Sequence, residues 1–182
     1  MKLAKPSLLA VVINALLMQL LWFVAVIGGA HGWGVMAVMP LVVMVIAGPC
    51  TGGRIKPDLV LLAAAVVMGL VFEVALQSAG LIAYRGNAGG ILPPLWILLL
   101  WAGMGASCNY SFTWLQRHLW LAAVLGAIGS VLSLRAGMAL GAAVAPVGWL
   151  PLALVYGAAW ALILPLLVYL SREVSRDHDF VV

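Results

Sequence analysis

Charge is what this chain has least of. Only 8% of its 182 residues are Asp, Glu, Lys or Arg, where soluble domains carry about a quarter. So few charges cannot clothe a water-facing surface, which excludes a soluble globular domain and a disordered chain alike. Acids are scarcest, five against nine Lys and Arg, and the bases are scattered between apolar runs instead of forming a patch, which rules out nucleic acid as a partner. Cysteine is nearly absent too. Cys50 and Cys108 lack metal-ligand spacing and fall on or near the side that the basic residues mark as cytoplasmic, which argues against a metal site and a structural disulfide. There is no phosphate-binding glycine loop, no HExxH, no GxSxG and no paired acids of the kind metal-dependent lipid enzymes carry. Those absences weigh against an enzyme and leave no cofactor to expect.

What is present is hydrophobic surface, 66% of residues with a mean hydropathy of +1.20. A bilayer core needs about 17–25 apolar residues per helix, and six segments come near this, at about 7–29, 33–49, 59–83, 93–116, 119–144 and 150–170. The expected fold is all-α: a polytopic transmembrane bundle of six helices in one domain, residues 1–170, with a short polar tail at 171–182. The start MKLAKPSLLAVV has the basic flank of a signal peptide, but its apolar run is too long for one, so it reads as a retained first span.

Basic residues set the expected orientation. With both termini cytoplasmic, Lys2, Lys5, Arg54, Lys56, Arg117, Arg172 and Arg176 lie inside and only Arg85 outside, a strong positive-inside asymmetry. Trp33, Tyr84, Trp96 and Trp149 then form an outer aromatic belt, and Trp114, Trp120 and Tyr169 an inner one.

Two charges interrupt the spans. Counted from the outer helix ends at 1.5 Å per residue, Glu73 and Arg135 both come out roughly 13–15 Å deep. Trp22, Trp101 and Trp160 fall at similar depth, too deep for a belt. Charges at that depth face the bundle interior or each other. Two readings follow: a ligand site in which Arg135 grips an anionic group beside Glu73 and the indoles, or a buried ion pair that fixes helix register. Nearer the cytoplasm a second polar layer holds Asn14 and Gln19 on the first helix and Asn109, Thr113 and Gln116 on the fourth. The last three share one helical face, which fits hydrogen bonding between helices. A stripe of small residues on the fifth helix, Gly126, Ser130, Ser133, Gly137 and Gly141, fits close backbone approach, with Arg135 pointing away from it.

NALLMQLLWFVAVIGGAHGW, PPLWILLLWAGMGASCNYSFTWLQRH, LGAIGSVLSLRAGMALGAA and WALILPLL together resemble a bacterial family of small multi-pass inner-membrane proteins known only as a domain of unknown function. The family pattern places Asp where this chain has Glu73, and its basic residue near Ala139 instead of at Arg135. The resemblance implies no catalytic residues. It associates members with gene neighbourhoods holding cyclopropane-fatty-acid-synthase-like enzymes, hence with lipid metabolism or envelope stress. The expected function is therefore an accessory or binding protein of the bacterial inner membrane for a lipid or small amphiphile, with a membrane protein or lipid enzyme as a further partner. The alternatives are a small-molecule transporter or importer subunit, which six short helices resemble in size, and a lipid-modifying enzyme with Glu73 as acid or base.

Overall fold

A computed structural model describes residues 6–87 and 90–177. Lys2, Lys5 and the tail beyond Asp177 lie outside the described residues. Six helices make up the fold: α1 (Leu8–His31), α2 (Val38–Cys50), α3 (Ile55–Ser78), α4 (Leu95–Ser107), α5 (Leu119–Ala139) and α6 (Trp149–Asp177). A pair of two-residue strands, β1 (Ala83–Tyr84) and β2 (Ala143–Val144), joins the loops that follow α3 and α5.

Local chemistry sets the helix ends. Ser7 caps α1 by accepting from the Ala10 amide at 3.1 Å, the usual task of an N-cap hydroxyl. At the other end Gly32, with φ 86°, supplies the left-handed turn that stops the helix. Pro94 stands just before α4 with extended backbone. The end of α4 departs from expectation: the apolar run continues beyond residue 110, but the helix stops at Ser107. Ser107 Oγ donates back to the Gly103 carbonyl at 2.8 Å, and the Asn109 and Ser111 side chains engage other elements. Such side chains offer the backbone an alternative to the helical ladder. The chain turns and continues as a short 3-10 segment, Thr113–Arg117.

Four helices are therefore long and apolar enough to cross a membrane: α1, α3, α5 and α6. α2 and α4 have 13 residues each, about 20 Å of rise against a bilayer core of about 30 Å. Among the described residues the six expected helices are thus present, four of them of spanning length and two, Gly34–Cys50 counted with its leading 3-10 turn and Leu95–Ser107, shorter. The first residues of the expected polar tail, 171–177, continue α6.

Helices pack in a chain of neighbours. α1 lies on α2 and α4, α3 on α4 and α6, and α5 on α6. Glycines permit the closest crossings: a Cβ on Gly105 would stand 2.5 Å from the Leu61 carbonyl oxygen of α3, and one on Gly126 2.3 Å from the Trp160 carbonyl oxygen of α6. Of the small stripe on α5, Gly126 thus serves close helix approach as expected. Gly141 does not, since with φ 83° it is a turn glycine beyond the helix.

Candidate functional site

The site begins with a stripe on α3. Asp58, Leu61, Ala65, Gly69, Glu73 and Leu76 are all buried, spaced by three or four residues so that one helical face meets α4 and α6. Gly69 makes the notch that lets an indole in, since a Cβ there would lie 2.3 Å from Trp101 Cγ. One turn on, Glu73 is 0% exposed. Trp101 donates its Nε1 hydrogen to Glu73 Oε1 at 3.1 Å, and the Tyr84 hydroxyl donates to Oε2. Tyr84 comes from β1, where pairing with Ala143 holds it in place. The Tyr156 hydroxyl of α6 is a third polar group at the carboxyl. An acid in the middle of an apolar helix is thus accommodated by two aromatic donors, from α4 and β1, with the Tyr156 hydroxyl of α6 beside them, as a buried carboxyl requires.

On the other side of this aromatic wall lies a cavity of about 390 Å³, within the ~300–1,000 Å³ range of small-molecule pockets. α1 and α5 flank it, and α4 and α6 provide its floor. Trp101 and Trp160 stack there with centroids 4.8 Å apart and planes at 24°. Trp22 reaches across from α1 to α5, donating Nε1–H to Ser133 Oγ at 2.8 Å. The expectation that Trp22, Trp101 and Trp160 share one layer holds in that all three line this space, and Gln19 stands at its edge. Tyr84 and Trp96, assigned above to the outer belt, are each 6% exposed and also line it. The small stripe of α5 turns Ser130, Ser133 and Gly137 towards the cavity instead of towards another helix.

Arg135 is not part of the site. It is exposed, and its Cζ lies 5.3 Å from the Trp149 ring centroid in a cation–π contact. The proposed pairing with Glu73 is corrected, for two physical reasons. α5 ends at Ala139, not near residue 144, so Arg135 is about 6 Å from the helix end, within easy reach of the interface. It also stands opposite the face that α5 buries. Glu73→Ala and Arg135→Ala are therefore expected to act additively on unfolding free energy, within about 0.5 kcal/mol. A coupling of 1 kcal/mol or more in a double-mutant cycle would show that the two side chains meet after all.

The expected shared face of Asn109, Thr113 and Gln116 on the fourth helix is corrected, because α4 ends at Ser107 before all three, and Gln19 lines the cavity instead. Asn14 donates to the Ala106 carbonyl at 3.2 Å and accepts from Ser111 Oγ at 2.8 Å. Gln116 donates to Ser171 of α6 at 2.8 Å. Thr113 bonds locally, to the Tyr110 carbonyl at 2.6 Å. Asn109 donates to Asp58 Oδ1 at 2.7 Å, and the Tyr110 hydroxyl reaches Asp58 Oδ2 at 2.5 Å through a niche left by Gly48 and Gly53. Asp58 is thus a second buried acid absent from the sequence reading, which began the third span only at about residue 59. Its signal was there: an acid in the first turn of a helix, in register with the stripe through residues 61, 65, 69 and 73. Both its oxygens are taken, so this centre ties α3 to the chain after α4.

Among the described residues no cluster of His, Cys, Asp or Glu could hold a metal ion. Neither a curated protein nor a solved structure matches the chain. Residues 11–166 match the family model described as "Protein of unknown function (DUF2878)", and the chain, a membrane-type helical protein with a sealed acid behind a tryptophan-lined cavity, belongs to that family.

Proposed function

We propose that the protein is a binding or accessory protein of the bacterial inner membrane, which takes a lipid or small amphiphile into the cavity between α1 and α5. The observation that carries this reading is the cavity itself: apolar, walled by indoles, and placed between two helices that are each long enough to span the bilayer. A ligand can enter such a space sideways from the membrane and leave its tail between α1 and α5. Binding is preferred to catalysis because Glu73, the acid that catalysis would need, has no exposed surface. Both termini are placed in the cytoplasm on the strength of the basic-residue asymmetry. A reporter active only in the periplasm should stay silent when fused after Val182; activity there would reverse the orientation.

Gly129 supplies the test of binding. It lines the cavity, and a Cβ built on it meets nothing within 4 Å, so Gly129→Phe can enter there without a backbone clash and puts a ring into the space. Native mass spectrometry of gently extracted wild type should show a bound amphiphile, and Gly129→Phe should lose it. A wild type with no adduct, or a variant with equal occupancy, would contradict the proposal.

A further inference from the structure

The two helices that flank the cavity meet in one register. Trp22 of α1 donates to Ser133 of α5, and one turn further along both helices a Cβ on Gly137 would stand 3.7 Å from Val26 Cγ1. At these two levels α1 and α5 touch. One turn back they do not, since a Cβ on Gly129 meets nothing within 4 Å, and Gln19 and Gly129 both line the cavity while exposed. The space therefore opens between the helices at this level, and the Trp22–Ser133 hydrogen bond closes it towards the C-terminal ends of α1 and α5.

Gln19 and Ser130 line the cavity at this opening from opposite helices. Each lies about 16 Å along its helix, counted from Leu8 and Leu119 at 1.5 Å per residue. That is near the middle of two helices long enough to span the bilayer, where no water satisfies a polar group. An amide there is costly without a partner, yet Gln19 makes no hydrogen bond among the described residues. The Ser130 hydroxyl hydrogen is directed at the Ala127 carbonyl of its own helix, 3.2 Å away, which leaves its oxygen able to accept but not to donate. Gln19 brings two N–H donors and a carbonyl. A group seated between the two must accept on one side and donate on the other. A hydroxyl does both, an ether oxygen only accepts, and an alkyl chain does neither.

Resting on the binding reading above, we propose that Gln19 and Ser130 form the polar subsite of the cavity and that its ligand is a hydroxyl-bearing amphiphile. The ligand hydroxyl accepts from the Gln19 amide and donates to Ser130 Oγ, and the tail occupies the apolar space beside them. Gln19 thus serves the ligand and not a neighbouring helix. Each such hydrogen bond in a desolvated site is worth up to about tenfold in affinity.

The full chain in lipid nanodiscs can be exposed to photoreactive probes that share one alkyl tail and end in a primary alcohol, in its methyl ether or in no polar group. Adducts are then mapped by mass spectrometry. The alcohol should label the cavity-lining peptides of α1 and α5 roughly five- to tenfold more than the ether at equal mole fraction. Gln19→Leu and Ser130→Ala should each lower alcohol labelling by about the same factor, while the alkane probe labels as before and so reports an intact cavity. Neither substitution removes a hydrogen bond between helices, so both variants should fold. Equal labelling by all three probes overturns the hydroxyl subsite and leaves the binding reading standing. Labelling of the cavity by none of them overturns both. An alcohol preference that survives both substitutions overturns the assignment of these two residues. Loss of self-association in Gln19→Leu on native mass spectrometry, with alcohol labelling unchanged, gives the amide to a second copy of the chain and overturns it as well.

Discussion

Glu73→Leu should cost about 2–6 kcal/mol of stability, because it leaves two buried donors, Tyr84 Oη–H and Trp101 Nε1–H, without an acceptor at about 1–3 kcal/mol each. Leucine is close in size, so the loss reflects hydrogen bonding and not a cavity. Glu73→Gln keeps one carbonyl oxygen, and the tyrosine hydroxyl can turn to accept from the new amide, so its cost should be well under that of leucine. Cys108 offers a built-in readout, since it is buried and free while Cys50 is exposed. In a Cys50→Ser background, the temperature at which Cys108 becomes reactive to a thiol dye reports unfolding. Equal midpoints for the leucine and glutamine variants would mean that the aromatic donors do not hold the acid.

Two glycines one turn apart on α5 should respond to alanine with opposite sign. Both substitutions gain the helix propensity of alanine, up to about 1 kcal/mol. At Gly129 nothing opposes that gain, since a Cβ there stands in open space. At Gly126 the new methyl would sit 2.3 Å from the Trp160 carbonyl oxygen, a backbone atom that cannot swing aside, and such overpacking costs about 1–3 kcal/mol. Gly129→Ala is thus expected to raise the unfolding midpoint and Gly126→Ala to lower it. The second should also weaken ligand retention, because pushing α6 away moves Trp160. A Gly126→Ala variant as stable as wild type would show that α5 and α6 do not cross at this point.

Depth in the bundle was legible in the sequence, because helical rise turns residue number into height. That height alone puts Glu73, Trp22, Trp101 and Trp160 in one region. Direction around a helix was less so. The stripe of small residues on α5 did identify the face turned inward, and Arg135, opposite it, faces out; placing Arg135 inside meant reading depth as burial. Helix ends were the other failure. α4 stops at Ser107 because serine and asparagine side chains draw the backbone out of the helix, and hydropathy does not see this. Asp58 follows a proline at the start of α3, where Pro–Asp reads as a loop signal and masks its register with the buried stripe. Tyr84 and Trp96 looked like belt residues at loop boundaries; only the pairing of β1 with β2, which carries almost no sequence signal in two residues per strand, turns Tyr84 in towards Glu73.

A crystal structure grown from a lipid mesophase tests the central claim most directly. The prediction is continuous density in the space bounded by Trp22, Trp101 and Trp160, with a tail leaving between α1 and α5. Helices α1 and α5 packed directly against each other, with no density between them, would contradict it.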